Sequence, residues 1–135
     1  MGDYKDLLKL TNILVTYMDF SARKYAEVKE TGLDGDFYHE VKPFADKVKG
    51  VKDQWAILAK QFVQEERPKN LYQQQIDAAE EHMEALSIQA FFPQTSRSRF
   101  NHMMASTVFI LNNIIELAEK KKPSPVKEED LPSDI

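Results

Sequence analysis

Residues 37–62 of this 135-residue chain, FYHEVKPFADKVKGVKDQWAILAKQF, decide its fold. Large apolar residues recur in this stretch alternately after four and three positions, at Phe37, Val41, Phe44, Val48, Val51, Trp55, Leu58 and Phe62. That spacing is typical of the apolar seam of a long helix that packs against other helices along its whole length. Because an apolar stripe flanked by lysines has to be buried, the stretch predicts a helical bundle.

The residues before this stretch predict one further helix. An apolar face at three- and four-residue steps predicts helix 1 from about Asp3 to Glu30, and Gly32 follows it as a C-terminal cap. Asp36 is a candidate N-cap for helix 2, which carries the opening stripe to about Glu66.

Pro43 is the one local contradiction inside helix 2. Proline lacks a backbone N–H and biases the residue before it away from helical dihedral angles. Since the apolar rhythm passes through Pro43 without a slip, we expect a kinked but continuous helix.

The second half of the chain repeats the same rhythm twice. Helix 3 is predicted from about Leu71 to Phe91 or Phe92, where Pro93 ends it. Its expected inner face is Tyr72, Ile76, Ala79, Met83, Leu86 and Ala90.

Helix 4 is predicted to begin after a cap at Thr95 or Ser96 and to end at the lysines 120–122. Four helices with short connections predict an all-α, antiparallel up-and-down four-helix bundle over residues 1–122. The acidic, proline-containing residues 123–135 are predicted to be a disordered tail.

Oppositely charged side chains agree with this order of helices. Helix 2 carries lysines that we expect to pair with acids on helix 3, and two smaller groups are expected to meet at the ends of the bundle. The predicted sets are Lys47, Lys49, Lys52 and Lys60 with Asp77, Glu80, Glu81 and Glu84; Asp34 and Asp36 with Arg97 and Arg99; and Glu65 and Glu66 with Lys120, Lys121 and Lys122.

Composition excludes several classes of function. The net charge of −4 comes mostly from the tail, and the nearly neutral remainder has no basic stripe, so we expect neither nucleic acid nor a membrane as partner. The chain contains no cysteine, which excludes disulfides and thiolate chemistry. With no signal peptide and no membrane span in the sequence, the expected location is the cytoplasm.

No catalytic, cofactor or metal site is assigned. The acids of helix 3 share one face, but a charged stripe is usually a solvated face, and here the lysines of helix 2 are expected to neutralise it. His39, His82 and His102 fall on three helices in phases that disagree, so we do not expect them to share a metal ion.

The segment from Gln89 to Phe100 is the least ordinary in the chain. Two arginines in the first turn of a helix oppose its macrodipole, so they need another explanation. One is the pairing with Asp34 and Asp36 described above. The other is an interaction patch of Phe91, Phe92, Arg97 and Arg99, in which one phenylalanine is exposed beside the arginines.

Two functions remain open from the residues. The first is a non-enzymatic interaction or structural module that binds an unknown protein or a second copy of itself. The second is an enzyme that binds a metal or small ligand in a pocket inside the bundle, lined by Trp55, Met83, Met103 and Met104.

Three segments of the chain resemble the YppE-like family of small helical-bundle proteins from Gram-positive bacteria. These segments are FYHEVKPFAD at 37–46, residues 55–68 from Trp55 to Pro68, and QAFFP at 89–93 followed by Thr95-Ser96 and Arg99-Phe100. The resemblance implies a cytosolic four-helix bundle of unknown function, and it assigns no catalytic residue.

Overall fold

A computed structural model describes residues 4–121 of the chain. It contains four α-helices: α1 (Lys5–Thr31), α2 (Lys42–Glu66), α3 (Gln73–Gln89) and α4 (Arg97–Lys121). A π-helical turn, Phe37–Val41, leads directly into α2. Residues 4–121 contain no β-strand, which confirms the all-α class. The predicted tail, residues 123–135, lies outside the described residues.

The helices form the predicted antiparallel up-and-down bundle, and contacts at its two ends show the topology. At one end the Tyr4 hydroxyl, before α1, donates hydrogen bonds to Glu65 (2.9 Å) and Glu66 (2.7 Å) at the end of α2. Lys121, which ends α4, lies 3.3 Å from Glu66 at the same end, as predicted. We call this the tail end. The opposite end, with residues 32–36 and 90–96, is the corner end.

The opening stripe forms one wall of the core with a single exception. Val41, Val48, Trp55 and Phe62 are buried, and the stripe residues between them are partly buried. Phe37 is 51 % exposed, so its expected place in the seam is wrong. The reason is its position as the first residue of the π-helical turn, at the edge of the bundle, where its ring packs edge-on against Tyr38.

Trp55 makes the polar contact that joins α2 to α1 in the middle of the core. Its indole N–H donates to the Thr11 hydroxyl oxygen over 3.0 Å, and that hydroxyl donates in turn to the Leu7 carbonyl over 2.6 Å. Trp55 and Thr11 are both fully buried. Because a buried indole N–H without an acceptor is costly, Thr11 fixes which turn of α1 faces Trp55.

The chain stays helical through Pro43, as predicted, but the first turn of the predicted helix 2 is a separate π-helical turn and not part of α2. The irregularity lies just before Pro43, where the Lys42 N–H donates to the Phe37 carbonyl across five residues. Pro43 is therefore in the first turn of α2, where a missing N–H is tolerated.

Helix α3 is shorter than its apolar rhythm predicts. It ends at Gln89, because the N–H groups of Phe91 and Phe92 make tighter three-residue bonds to the carbonyls of Ile88 and Gln89. Tyr72 is 57 % exposed and is not on the inner face. It precedes the helix instead, and its backbone N–H donates to the Gln75 side chain (2.7 Å).

Two of the four predicted lysines of α2 pair with α3. Lys60 lies 3.1 Å from Asp77 and 3.2 Å from Glu80, and Lys52 pairs with Glu80 (3.6 Å) and Glu84. Only 4 % of the Lys52 side chain is exposed. Burial lowers the pKa of Lys52, but hydrogen bonds to its carboxylate neighbours outweigh that effect, so its pKa is raised.

The other two lysines do not reach α3. Lys49 pairs with Asp53 of its own helix (3.0 Å), and Lys47 is exposed without an ion pair among residues 4–121.

The Trp55 hydrogen bond predicts a specific loss of stability. Replacing Thr11 with valine keeps the shape of the side chain but removes the acceptor, so we expect T11V to lower the free energy of unfolding by about 1–3 kcal/mol in urea denaturation. The exposed Thr16, whose hydroxyl donates to its own helix, provides the control, and T16V should change stability by less than about 0.5 kcal/mol. If T11V costs as much in a W55F background as in the native chain, the two side chains are not coupled.

Acid should weaken the bundle through carboxylates at α2. Hydrogen bonds from Lys52 and Lys49 lower the pKa of Asp53, and the hydrogen bond from Tyr4 lowers the pKa of Glu66. A carboxyl whose pKa is lower in the folded state stabilises the fold above its unfolded pKa, and that contribution is lost as the pH falls through the folded value. We expect urea midpoints to fall below about pH 5.

The variant D53N/E66Q should show a shallower fall with acid than the native chain. Its control is D19N/E119Q, which changes two exposed carboxyls on α1 and α4 and should keep the native slope. Parallel acid slopes in all three proteins would contradict this assignment.

Candidate functional site

The four residues of the predicted interaction patch differ in their exposure to solvent. Phe91 is 1 % exposed, so it is a core residue, and the exposed phenylalanine that the prediction allowed at either position cannot be Phe91. Phe92 is partly buried. Arg97 and Arg99 are exposed at the start of α4.

Phe91 is buried because its ring closes the corner end of the core between α1 and α2. Its ring centroid lies 6.4 Å from that of Phe20 and 5.9 Å from that of Phe44. The Lys24 ammonium lies 5.6 Å from the centroid of the same ring. The tight turn that ends α3 directs the side chain inward, which the helical rhythm alone does not show.

The backbone of Phe91 also fixes the loop between α1 and α2. The Gly35 N–H donates to the Phe91 carbonyl over 2.8 Å. A Cβ at Gly35 would lie 2.8 Å from Phe91 side-chain carbons, so only glycine allows this close approach. The loop and the α3–α4 corner are thus in direct contact.

Asp36 caps the π-helical turn, as predicted. Its carboxylate accepts the backbone N–H of His39 over 2.8 Å, and the Glu40 carboxylate accepts the N–H of Asp36 over 3.1 Å. The backbone hydrogen bond from His39, followed by the contact with its ring, lowers the pKa of Asp36. These two hydrogen bonds fix the backbone conformation of the turn, and with it the positions of the exposed side chains described next.

Three large apolar side chains are exposed around this loop. Leu33 is 69 % exposed, Phe37 51 % and Tyr38 76 %. With Arg97 and Arg99 at the same end of the bundle, they form what we call the corner surface. The sequence analysis did not identify Leu33 and Tyr38 as candidate site residues. Neither falls on a predicted apolar stripe, and that feature could have indicated that they are exposed.

The arginines of the corner surface do not pair with the acids of the loop. Neither Arg97 nor Arg99 forms an ion pair with any residue in the described range 4–121, which corrects the predicted pairing. Asp36 is engaged by His39 instead (3.0 Å). The two guanidinium groups are therefore exposed without a carboxylate partner from the bundle.

The start of α4, which carries these arginines, is fixed to α1. The Tyr25 hydroxyl donates to the Thr95 carbonyl over 2.6 Å, and the Tyr25 ring stacks on Phe100 with centroids 4.0 Å apart. Ser96 is the N-cap, because its hydroxyl accepts the Arg99 N–H over 3.3 Å. Both the loop between α1 and α2 and the start of α4, which carry the corner surface, are thus held in place by buried or hydrogen-bonded residues.

A second surface feature adjoins Phe91 on the side of the bundle. A cleft of about 350 Å³ between α1 and α2 is walled by aromatic rings and flanked by two cations. Its lining residues, which we call the aromatic groove, are Thr16, Tyr17, Phe20, Arg23, Phe44 and Lys47. The Phe44 ring contacts both Tyr17 (5.7 Å) and Phe20 (4.7 Å).

Lysines of α2 pair with three of the four acids in the stripe on α3, and Glu81 forms no ion pair within residues 4–121. The positive charge beside these carboxylates is supplied by Lys52 and Lys60, through the ion pairs described above. His39 is exposed on the cap of the π-helical turn, while His82 and His102 lie on α3 and α4. Within residues 4–121 no group of three or more potential metal ligands is clustered.

The methionines suggested as a pocket lining belong to the core. Met83 and Trp55 are completely buried, Met103 is 9 % exposed, and Met104 packs against the core from its edge. These side chains therefore fill the interior of the bundle. In the same part of the chain, no helix has the length and apolar character needed to cross a bilayer.

Comparison with known proteins gives a consistent result. Residues 11–117 match the model of a bacterial domain of unknown function, DUF1798. The chain is 24 % identical over 108 residues to the uncharacterized protein YppE of Bacillus subtilis, covering 80 % of this chain and 88 % of that protein.

Solved structures share the architecture. A protein of unknown function from Listeria innocua matches with a TM-score of 0.83 and 26 % identity, covering 87 % of this chain and 94 % of that one. A DUF1798 protein from Staphylococcus aureus matches with a TM-score of 0.77 over 84 % of this chain and 96 % of that one. At 23 % identity, the second match shows a common fold.

Gly35 and Gly50 provide a matched test of the corner. Because a methyl group at Gly35 would overlap Phe91, we expect G35A to destabilise the protein by about 1–3 kcal/mol. Gly50 is exposed in the middle of α2 with nothing within 4 Å of an added Cβ, so G50A should stabilise by about 0.5–1 kcal/mol. Urea denaturation measures both. Equal effects of the two substitutions would contradict the close contact at Gly35.

Proposed function

Because this chain belongs to the bacterial DUF1798 family, whose function is unknown, we propose a role from its surface: it is a non-enzymatic module that binds another protein through the corner surface. The observation that carries the proposal is the exposure of Leu33, Phe37 and Tyr38 at one end of the bundle. Exposed aromatic side chains and arginines at the same end of the bundle have the composition that protein interfaces favour.

The arginines indicate the chemistry of the partner. Arg97 and Arg99 carry positive charge that no carboxylate of residues 4–121 neutralises. A partner that presents acidic side chains beside an apolar segment would pair with both parts of the surface. The supports of the surface reduce the conformational entropy lost on binding, since the loop and the start of α4 are already fixed.

The packed interior favours this proposal over a ligand-binding enzyme. Trp55, Met83 and Met103 occupy the space where such a pocket would lie. The proposal places the protein in the cytoplasm, which suits a chain without cysteine.

Photo-crosslinking at Tyr38 tests the proposal. A photoreactive phenylalanine analogue at Tyr38 should crosslink to a discrete protein, while the same analogue at Tyr72 should not. Tyr72 is the matched control because it is a tyrosine of similar exposure, 57 %, at the opposite end of the bundle. Equal crosslinking from both positions, or none from Tyr38, would contradict the proposal.

The crosslinked partner then allows an affinity measurement. The variants Y38S and R97E/R99E should each weaken binding by about tenfold or more in calorimetric titration, because aromatic and arginine side chains dominate interface energies. Y72S should leave the affinity unchanged. Sedimentation of the purified chain identifies the case in which the partner is a second copy, which would appear as a dimer that Y38S dissociates.

A further inference from the structure

We propose that the aromatic groove binds the acidic C-terminal segment of this same chain, residues 126–135. The inference is independent of the corner surface, since it concerns the cleft between α1 and α2. Its bound state would cover the exposed rings of the groove and compete with any other ligand there.

The groove combines apolar walls with unneutralised positive charge. Phe20 is 37 % exposed and forms the wall together with Tyr17 and Phe44. Arg23 and Lys47 flank these rings, and neither makes an ion pair with any residue between 4 and 121. Such a groove favours a ligand that alternates apolar and acidic groups.

Residues 126–135, VKEEDLPSDI, have that complementary pattern. The segment contains four acidic residues and only one lysine, and three apolar residues are distributed along it. The acids are Glu128, Glu129, Asp130 and Asp134, and the apolar residues are Val126, Leu131 and Ile135.

The segment is long enough to reach the groove. Lys121 ends α4 beside Glu66, and Phe44 lies 22 residues back along α2 from Glu66, a distance of about 33 Å at 1.5 Å per residue. Leu131 is ten residues beyond Lys121, and an extended chain of that length spans about 33–36 Å. Leu131 and the residues after it can therefore reach the aromatic walls, with the preceding acids near Lys47.

Charge selects this groove over a nearer cleft. A cleft of similar size at the tail end is lined by two carboxylates, Asp6 and Glu65, and by one cation, Lys5, and Glu66 lies beside it. These carboxylates repel an acidic segment, although the end of α4 is close to them. Electrostatics therefore favours the more distant, cationic groove.

Paramagnetic NMR of the complete chain tests the proposal. Because the chain has no cysteine, S133C introduces a single thiol for a nitroxide label. We expect the label to broaden the backbone amide signals of Phe20, Phe44 and Lys47, and to leave those of Ile88 on α3 and Phe109 on α4 unaffected. Reducing the nitroxide gives the reference spectrum.

Two charge variants separate specific docking from general attraction. R23E/K47E should reduce the broadening in the groove several-fold, whereas R97E/R99E, which makes the same charge change at the corner surface, should not. Changing Glu128 and Glu129 to lysine in the R23E/K47E background should restore it, because the signs of both partners are then exchanged.

Three outcomes would overturn the proposal. Broadening confined to residues near Tyr4 would show that the segment remains at the tail end, and equal loss in both charge variants would show that no specific groove is involved. Broadening that appears only between labelled and unlabelled chains in a mixture would show binding to a second copy. None of these results depends on a partner at the corner surface, so failure here leaves that proposal intact.

Discussion

The burial of Phe91 is the interaction on which the corner end of the molecule depends. Its ring fills the space between Phe20 and Phe44, and its carbonyl accepts the N–H of Gly35. One residue therefore connects the end of α3 to α1, α2 and the first loop. Both candidate surfaces follow from it: the loop presents Leu33 and its neighbours, and the aromatic cluster continues into the groove.

The parts of the fold that the sequence predicts correctly depend on the spacing of apolar residues and on contacts between residues close in sequence. Four apolar stripes define four helices, because burial of a stripe requires a regular spacing. Gly32, Asp36 and Ser96 cap helices through bonds to residues close in sequence, so their roles are visible without tertiary structure. The membership of the YppE-like family inferred from three segments is likewise confirmed.

The predictions that fail depend on contacts between distant segments. Helix α3 ends at Gln89 although the apolar spacing continues beyond it. Because Phe91 lies outside the helix, helical periodicity does not predict whether its side chain points into the core. Pairing of the arginines with the loop acids required a distance that sequence does not give. Thr11 and Lys52 are buried because Trp55 and the carboxylates of α3 provide them with hydrogen-bond and ion-pair partners. A pattern read from apolar residues alone cannot predict which polar residues are buried.

Hydrogen exchange at the amide of Gly35 tests most directly whether the corner is one fixed unit. This amide belongs to a loop, where exchange is ordinarily fast, but it donates to the carbonyl of the buried Phe91. We predict strong protection of the Gly35 amide, which is lost together with that of core amides on global unfolding. Exchange of Gly35 at the rate of an unstructured peptide would contradict it, since the loop would then be free of Phe91.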